Sequence, residues 1–569
     1  MSAIVDEEEG GNDNESVSTF RSLPSTLEGT DDEIETIGHW LDEERERRSQ
    51  TGGGYGSIDA SPEDEEEDLL RQADRIFQRR NSYSSSVSKH GGMVNGENGS
   101  LLEESEESSE EDFQNEKATV SSESRKLGRY SAPLVINFLL EQVFSLVCVV
   151  FAGHLGKEQL AAVSMASMVS AIVLAIYEGI ATSLDTLCPQ AYGAGQYYLV
   201  GLHTQRCAAF SLTLFVPAAI FWWYSGSWLR YIIDDEKVVS LTQQFLRILI
   251  LGAPPYILFE DGKRFLQAQG IFDAGTVILF ITAPFDVFLN WLLVYSESFG
   301  MGYVGAPIAA VINFWLTFIL LVLFVVFIDG DDCWGGLNMA AFTHWYDLSL
   351  LAIPGVIMLL AESMAYEILT LLASYFGTNA LAAQSALSSV VSLLYMIPFA
   401  LSVASSTRIA NFVGSGNIIS AKVAVHVGMS SCLYSAVFNS VIIYLFSSPI
   451  AKIFTDDPVV QKKIVSLCPL MSLFVVFDGW ACIASGIMRA LGLQGIGGTI
   501  NMVGYYFIAV PLALLLGFTC NLQLEGLWLG NGAGLLLIAI GETWVIYAAN
   551  WTGIVEKARE RNKEPEIED

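Results

Sequence analysis

The chain contains twelve apolar stretches, each close to 20 residues long, between about residues 130 and 550. A helix needs about 20 residues to cross about 30 Å of hydrocarbon, so this pattern predicts an all-α polytopic membrane protein. Glycine and proline inside the stretches are compatible with membrane bundles, where neighbouring helices satisfy freed backbone groups. The predicted spans are 132–152, 163–187, 207–223, 240–259, 275–295, 304–328, 348–373, 380–403, 421–446, 464–488, 500–518 and 527–549.

The charge of the chain is divided unevenly along its length. The 569 residues carry a net charge of -32, and residues 1–124 alone hold 33 acidic and 10 basic side chains. That segment has too few apolar residues to fold by burial, so we expect a disordered acidic tail. The predicted organisation is the tail at 1–124, an N-lobe at 125–335 with six spans, a C-lobe at 336–550 with six spans, and a short C-terminal tail at 551–569.

An internal repeat relates the two predicted lobes. Shifting residues 127–206 by 221 positions aligns them without gaps onto 348–427. Proline, glutamate and glycine residues coincide in this alignment, although each is energetically unfavourable inside a membrane span. A repeat in the same direction with six spans per half predicts pseudo-symmetric lobes around an axis along the membrane normal, with a binding site between them near the midplane. The coincident pairs include Pro133 with Pro354, Glu141 with Glu362, Gly193 with Gly414, and Gly195 with Gly416.

The distribution of lysine and arginine predicts which side the two termini face. Twelve spans place both termini on one side, and thirteen basic residues near span ends lie on that side against seven on the other. The positive-inside bias therefore predicts that both termini are cytosolic. The loop at 329–347 is the exception, because it is predicted to be cytosolic but contains no lysine or arginine.

Several sequence motifs occur in a characteristic order along the apolar body. They read ATSLDTLCPQAYGAG (181–195), LFEDGKRFLQAQGI (258–271), AIPGVIMLLAESMAYEILTLLASYFG (352–377) and YMIPFALSVASSTRIANFVGSGN (395–417). Together they resemble the eukaryotic branch of the multidrug and toxic compound extrusion (MATE) family, and the long acidic tail resembles fungal members. The resemblance implies two six-helix lobes that alternate between outward- and inward-open states, and an antiporter that exchanges protons for cytosolic, often cationic, organic solutes.

Carboxyl groups inside the predicted spans are the first candidates for proton or solute binding. Each costs on the order of 3 kcal/mol at the bilayer centre, so each requires a functional or structural reason. Glu362 and Glu367 lie in the middle of the seventh span and point about 140° apart on a straight helix. Asp478 lies in the middle of the tenth span. The resemblance implies a proton and cation site at Glu362 and Asp478, with Glu367 close by. The alternative is a hydrogen-bonded cluster that only fixes helix packing.

Other polar residues of the spans have both functional and structural interpretations. Glu141 is the repeat mate of Glu362, and Asp185 and Gln190 follow in the second span, so we expect a corresponding N-lobe site or a packing role. Glu260, Asp261 and Glu542 lie near predicted span ends, where hydration or pairing with Lys263 and Arg264 accounts for them. The remaining candidates are Pro133, Pro354 and Tyr395. The two prolines are predicted either to act as hinges or to form static kinks. Tyr395 is predicted either to line a cation-accepting cavity or to face lipid.

The tail contains sequence patterns of regulation and sorting. The predicted phosphorylation sites are Ser82, Ser105, Ser108 and Ser109, which imply contacts with kinases. EEEDLL (65–70) and ENGSLL (97–102) resemble acidic dileucine signals for a sorting adaptor, which favours a vacuolar membrane over the plasma membrane. The histidines and cysteines show no metal-ligand spacing. We expect a monomer without cofactor, metal or nucleic-acid partner.

Two other functions remain open at the level of sequence. A lipid-linked precursor flippase of the same superfamily requires a more cationic central cavity, and the body has few lysines or arginines in mid-span. A non-transporting regulatory scaffold would use the tail to recruit partners. A membrane-embedded enzyme is disfavoured, because the spans show no nucleophile with a base and no metal-binding pattern.

Overall fold

The computed structural model describes residues 113–563, apart from Glu297 and Phe299. None of these described residues lies in a β-strand. The predicted phosphorylation sites and dileucine signals lie outside the described residues.

The N-terminal half of the described chain consists of nine α-helices and short 3₁₀ turns. The helices are α1 (Val120–Gly153), α2 (Lys157–Ala181), α3 (Leu184–Gly193), α4 (Tyr197–Trp223), α5 (Ser225–Leu229), α6 (Glu236–Leu249), α7 (Ala253–Ala268), α8 (Ala274–Tyr295) and α9 (Gly305–Phe327). The first helix begins twelve residues before the predicted first span, so the predicted boundary at residue 124 falls inside α1.

The C-terminal half of the described chain has the same general order of long helices. They are α10 (Trp345–Ser374), α11 (Thr378–Ser415), α12 (Ile418–Leu445), α13 (Ser447–Phe454), α14 (Pro458–Ala490), α15 (Gln494–Met502), α16 (Val510–Leu514), α17 (Gln523–Ala548) and α18 (Trp551–Arg561). Two π-helical segments, Val503–Ala509 and Leu515–Thr519, join α15, α16 and α17. More than half of the predicted C-terminal tail, Trp551–Arg561, is therefore helical.

Eleven helical segments of the described chain are long and apolar enough to cross a membrane. The fourth predicted span, 240–259, is not among them because the structure breaks it into α6 and α7. Pro254 and Pro255 lack backbone donors, so they begin a new helix at its first turn rather than continue the preceding one. With this broken helix counted, the described chain has the twelve predicted spans, and the all-α fold of two lobes is confirmed.

The two lobes meet where α3 crosses α11. A methyl carbon added at Gly193 would lie 1.9 Å from the carbonyl oxygen of Asn411, and one added at Gly414 would lie 2.0 Å from that of Gln190. Only glycine permits this approach of two backbones. Gln190 and Asn411, like the two glycines, are 221 positions apart, so the pseudo-two-fold axis of the repeat passes through this contact. We call these four residues the lobe junction.

A short segment before α1 packs against the C-lobe near this junction. Residues 113–119, the N-terminal strap, place the buried ring of Phe113 against Phe412 and Tyr192. The buried guanidinium of Arg408 pairs with Glu116 at 2.8 Å and with Glu123 at 2.7 Å. Because the carboxylates come from the strap and α1 and the arginine from α11, these ion pairs join the two lobes.

The side chain of Asn417 holds the strap in place, which gives a testable prediction. Its amide donates to the carbonyl oxygens of Phe113 at 3.0 Å and Glu116 at 2.8 Å, while its own oxygen caps α12. Asn417→Asp keeps the capping oxygen but removes both donors, so we expect the strap to lose about 1–3 kcal/mol of local stability. Amide exchange at Ala118 measures this loss, and unchanged protection there would contradict the prediction.

Candidate functional site

A pair of carboxyl groups lies inside the C-lobe. Asp478 projects from α14 with 5% of its surface exposed, and the hydroxyl of Tyr366 donates to its Oδ1 at 3.1 Å. Glu362 lies one turn before Tyr366 on α10, so the two side chains share one face of that helix. Glu362 is half-buried and interacts electrostatically with Asp478 and with Tyr395 of α11. Three helices thus bring two acids and two tyrosines together.

Glu367 does not belong to this group in the structure. It projects from an exposed face of α10, five residues after Glu362. This separation follows from helix geometry, because five positions rotate a side chain about 140° away.

A further acid of the C-lobe, Glu542, lies near the end of its predicted span. We expected it to be hydrated near a span end, but the structure buries it completely. Ser485 donates to its Oε2 at 2.8 Å, and its Oε1 has no hydrogen-bond partner among the described residues. Its helix α17 continues to Ala548, and Gly497 of α15 packs beside it, since a methyl carbon added there would lie in van der Waals contact with Oε1 at 3.5 Å. Helix packing, rather than sequence position, excludes water from this carboxyl group.

The N-lobe holds a compact set of ion pairs. The ammonium group of Lys263, 6% exposed, lies 2.6 Å from Oε1 of Glu141 and 2.6 Å from Oε1 of Glu260. Arg264 pairs with the other oxygen of Glu260 at 3.0 Å. Glu141 also accepts a hydrogen bond from Asn137 at 3.0 Å. The repeat mate of Glu362 therefore lies in a salt-bridge network, whereas Glu362 itself forms no ion pair within 4 Å among the described residues.

Asp185 and Gln190 contact the opposite lobe. Asp185 pairs with Arg264 of its own lobe at 3.2 Å and with Arg489 of the C-lobe at 3.3 Å. The amide of Gln190 donates to the carbonyl oxygen of Ala490 at 2.9 Å. Arg561 of α18 donates to the side-chain oxygen of Gln190 at 3.3 Å, and burial lowers the pKa of this arginine. Both residues are therefore placed to hold the lobes together.

The two repeat-related prolines lie within unbroken helices. Pro133 is inside α1 and Pro354 is inside α10. The carbonyl oxygen of Pro133 accepts a hydrogen bond from Thr276 at 2.6 Å. A hinge role for either proline remains a prediction.

The described chain offers no cluster of three or more histidine, cysteine, aspartate or glutamate side chains able to hold a metal ion. All eight cysteines lie within the described residues, and all are free thiols.

Comparison with known proteins accounts for the repeat. A family model described as MatE matches residues 133–292 and 354–515. The two matched segments begin 221 residues apart, which is the offset that relates Glu141 to Glu362. The chain belongs to the MATE family.

Several relatives are similar over most of this MATE chain. An uncharacterized transporter of Saccharomyces cerevisiae, YDR338C, is 50% identical over 77% of this chain, which spans 63% of that relative's length. Protein DETOXIFICATION 15 of Arabidopsis thaliana is 31% identical over 78% of this chain and 92% of its own length. The crystal structure of the eukaryotic MATE transporter AtDTX14 superimposes with a TM-score of 0.72 at 28% identity, covering 78% of this chain and all of that one. This protein is thus a multi-pass membrane transporter of the MATE family and not an enzyme.

Proposed function

We propose that this protein is a proton-coupled antiporter that moves small organic, often cationic, solutes out of the cytosol by alternating access. The observation that carries the proposal is the pair formed by Glu362 and Asp478 in the C-lobe. Neither carboxylate has a lysine or arginine within salt-bridge distance among the described residues. This distinguishes the pair from Glu141, which has Lys263 as its partner.

Two carboxylates that lie near one another inside a membrane lobe favour the binding of a cation, because an uncompensated charge is costly there. Either a proton or an organic cation can neutralise the charge of such a pair, the one in place of the other. Binding of the proton and of the solute would then exclude one another, as exchange requires. A gradient of one pH unit supplies about 1.4 kcal/mol per proton, and 100 mV adds about 2.3 kcal/mol.

The aromatic groups beside the pair support a cationic solute. Tyr366 and Tyr395 interact directly with the two acids, and Tyr505 is buried within electrostatic reach of them. Aromatic faces attract organic cations that shed their water. The flippase alternative fits less well, because Lys263, Arg264 and Arg489 are each paired with carboxylates rather than presented to a pyrophosphate.

The remaining parts of the proposal concern the place of the protein in the cell. We propose cytosolic termini, a vacuolar membrane in preference to the plasma membrane, and a monomer regulated through its tail by kinases and a sorting adaptor. The excess of basic residues on the tail side and the acidic dileucine patterns support this proposal.

Uptake into proteoliposomes tests the coupling. The purified full-length chain is reconstituted, a pH gradient is imposed, and uptake of radiolabelled tetraethylammonium is compared with uptake after the gradient is collapsed. We expect the gradient to stimulate uptake in the wild type, and a panel of chemically different organic cations extends the test to other solutes. Uptake that ignores the gradient across this panel would contradict proton coupling.

Substitution of the pair gives a sharper prediction. Glu362→Gln and Asp478→Asn keep the shape of each side chain and one acceptor oxygen but remove its titration. We therefore expect folded proteins whose uptake no longer responds to the gradient, whereas Glu236→Gln, at an exposed helix start, should respond like the wild type. If the pair serves only helix packing, the variants will retain gradient-driven uptake and differ only in thermal stability.

A further inference from the structure

Asp185 lies between two arginines that belong to different lobes. Nε of Arg264, in the N-lobe, is 3.2 Å from its Oδ1, and Nε of Arg489, in the C-lobe, is 3.3 Å from its Oδ2. The three side chains are only 13–15% exposed, so water screens the pairs weakly. The ion pair between Asp185 and Arg489 is thus a charged contact across the interface that must separate when the lobes open on this side.

Arg489 has potential partners in its own lobe as well. It lies within electrostatic range of Glu362 on α10 and of Glu542 on α17. The charged or titratable groups that face Arg489 are therefore Asp185 on α3, Glu362 on α10, Glu542 on α17 and Cys482 on its own helix, with Arg264 beyond Asp185. Ser485, one turn before Arg489 on α14, donates to Oε2 of Glu542 at 2.8 Å, so this acid lies beside the part of α14 that carries Arg489. The guanidinium thus pairs with an acid across the interface and has two acids of its own lobe within electrostatic range.

The geometry of the pair permits an exchange of partners. Nε of Arg489 makes no hydrogen bond to Asp185 despite its distance of 3.3 Å, and Nε of Arg264 is likewise without one. The contact is therefore electrostatic and lacks the directional bonds of a bidentate pair. An arginine held in this way can turn toward a newly ionised acid without first breaking a strong hydrogen bond.

The backbone around Arg489 connects this side chain to the lobe junction. The hydroxyl of Thr186 donates to the carbonyl oxygen of Arg489 at 2.6 Å, and the amide of Gln190 donates to the next carbonyl oxygen at 2.9 Å. Thr186 in turn accepts a hydrogen bond from Gln494 at 2.6 Å. A change in the partner of Arg489 therefore acts at the place where the lobes touch.

We infer that Arg489 is a positioning residue that couples the charge of the C-lobe carboxyl groups to closure of the lobe junction. This inference rests on the proposed proton-coupled function. When Glu362 and Glu542 are neutral, Asp185 is the ionised partner of Arg489 and the ion pair holds the junction closed. When they lose their protons, they compete for Arg489 from within its own lobe, and the bond across the interface weakens. Low pH thus favours a closed junction, and higher pH favours an open one.

The distance between the lobes reports this coupling without any transport assay. Spin labels are attached at Gln196→Cys and Ile419→Cys, two exposed positions that flank the junction from opposite lobes, in a chain in which the exposed Cys520 is replaced by serine. In the wild type, we expect the ratio of the closed to the open population to decrease as the pH is raised. The decrease should be by a factor of about 5 to 150, which is the usual range of allosteric coupling.

Substitution of Arg489 separates coupling from a merely structural role. Arg489→Gln should favour the open junction at every pH and remove its pH dependence, and Arg489→Lys should restore part of that dependence because it restores the charge. Asp185→Asn removes the other partner of the ion pair and should also favour the open junction. This variant provides the same test if Arg489→Gln does not fold. Arg230→Gln, at an exposed position, should behave as the wild type.

Two results would overturn the inference. One is a pH-dependent distance that persists undiminished in Arg489→Gln or in Asp185→Asn, and the other is a wild-type distance that does not change with pH. Gradient-driven uptake is measured on the same proteins to separate this inference from the proposed function. If Arg489→Gln shows proton-driven uptake and the same pH-dependent label distance as the wild type, the inference is rejected and the proposed function stands. If the label distance changes with pH in the wild type but not in Arg489→Gln, and the wild type shows no proton-driven uptake, the proposed function alone is rejected.

Discussion

Replacing Gly414 or Gly193 with alanine is expected to open the lobe junction and to reduce transport severely. The added carbon would lie 2.0 Å or 1.9 Å from a carbonyl oxygen of the other lobe, where at least 3.0 Å is needed. The obstacle is helix backbone in both cases, so no side chain can turn away and the helices must separate. If the closed junction loses about 3 kcal/mol, its population relative to the open state falls about 150-fold. An alternating-access cycle that lacks one of its states cannot complete a turnover.

The two glycines should give the same result because the repeat makes them equivalent. Uptake into proteoliposomes and the label distance between Gln196→Cys and Ile419→Cys measure the two consequences separately. Gly495→Ala is the matched control, since this helical glycine has no atom within 4 Å of the added carbon. Normal uptake by both Gly193→Ala and Gly414→Ala would show that the contact between α3 and α11 is not required for the cycle.

Some features of the lobe junction can be predicted from the sequence and others cannot. The offset of 221 residues identifies Gly193 and Gly414 as equivalent positions and predicts two lobes related by an axis. It does not predict where that axis lies, because any pair of equivalent residues could face one another. That these glycines meet the backbone of Asn411 and Gln190 depends on the docking of two complete lobes, and no local pattern encodes it.

The candidate site shows the same division. Burial cost in the bilayer and family resemblance single out Glu362 and Asp478, because an acid in an apolar span is conspicuous in any sequence. The burial of Glu542 is not evident from the sequence, since its position near a span end suggests water, and the packing of α14 and α15 against α17 excludes that water. Arg489 was counted only as a basic residue at a span end, because its partner Asp185 lies 304 positions away.

Substitution of Lys263 with methionine is expected to cost the N-lobe about 3–5 kcal/mol of stability, as breaking one partner of a buried ion pair does. The ammonium group is 6% exposed and lies 2.6 Å from both Glu141 and Glu260. Methionine fills a similar volume, so the loss reflects charge rather than a cavity. Glu260 keeps Arg264 as a partner, whereas Glu141 keeps only the amide of Asn137. The uncompensated charge should therefore reside mainly on Glu141.

A double-mutant cycle tests that assignment, because Glu141→Gln removes the charge that Lys263→Met leaves unpaired. The double variant should be more stable than Lys263→Met alone, with a coupling between the two sites of about 0.5–3 kcal/mol. Unfolding in detergent followed by tryptophan fluorescence measures all four proteins. Lys237→Met is the control: its ammonium group is 74% exposed and lies 3.6 Å from Glu158, so its loss should cost at most about 1 kcal/mol. Equal stabilities of Lys263→Met and Lys237→Met would mean that the N-lobe network contributes no more than a surface ion pair, and Glu141 would then be free to bind protons as its repeat mate is proposed to do.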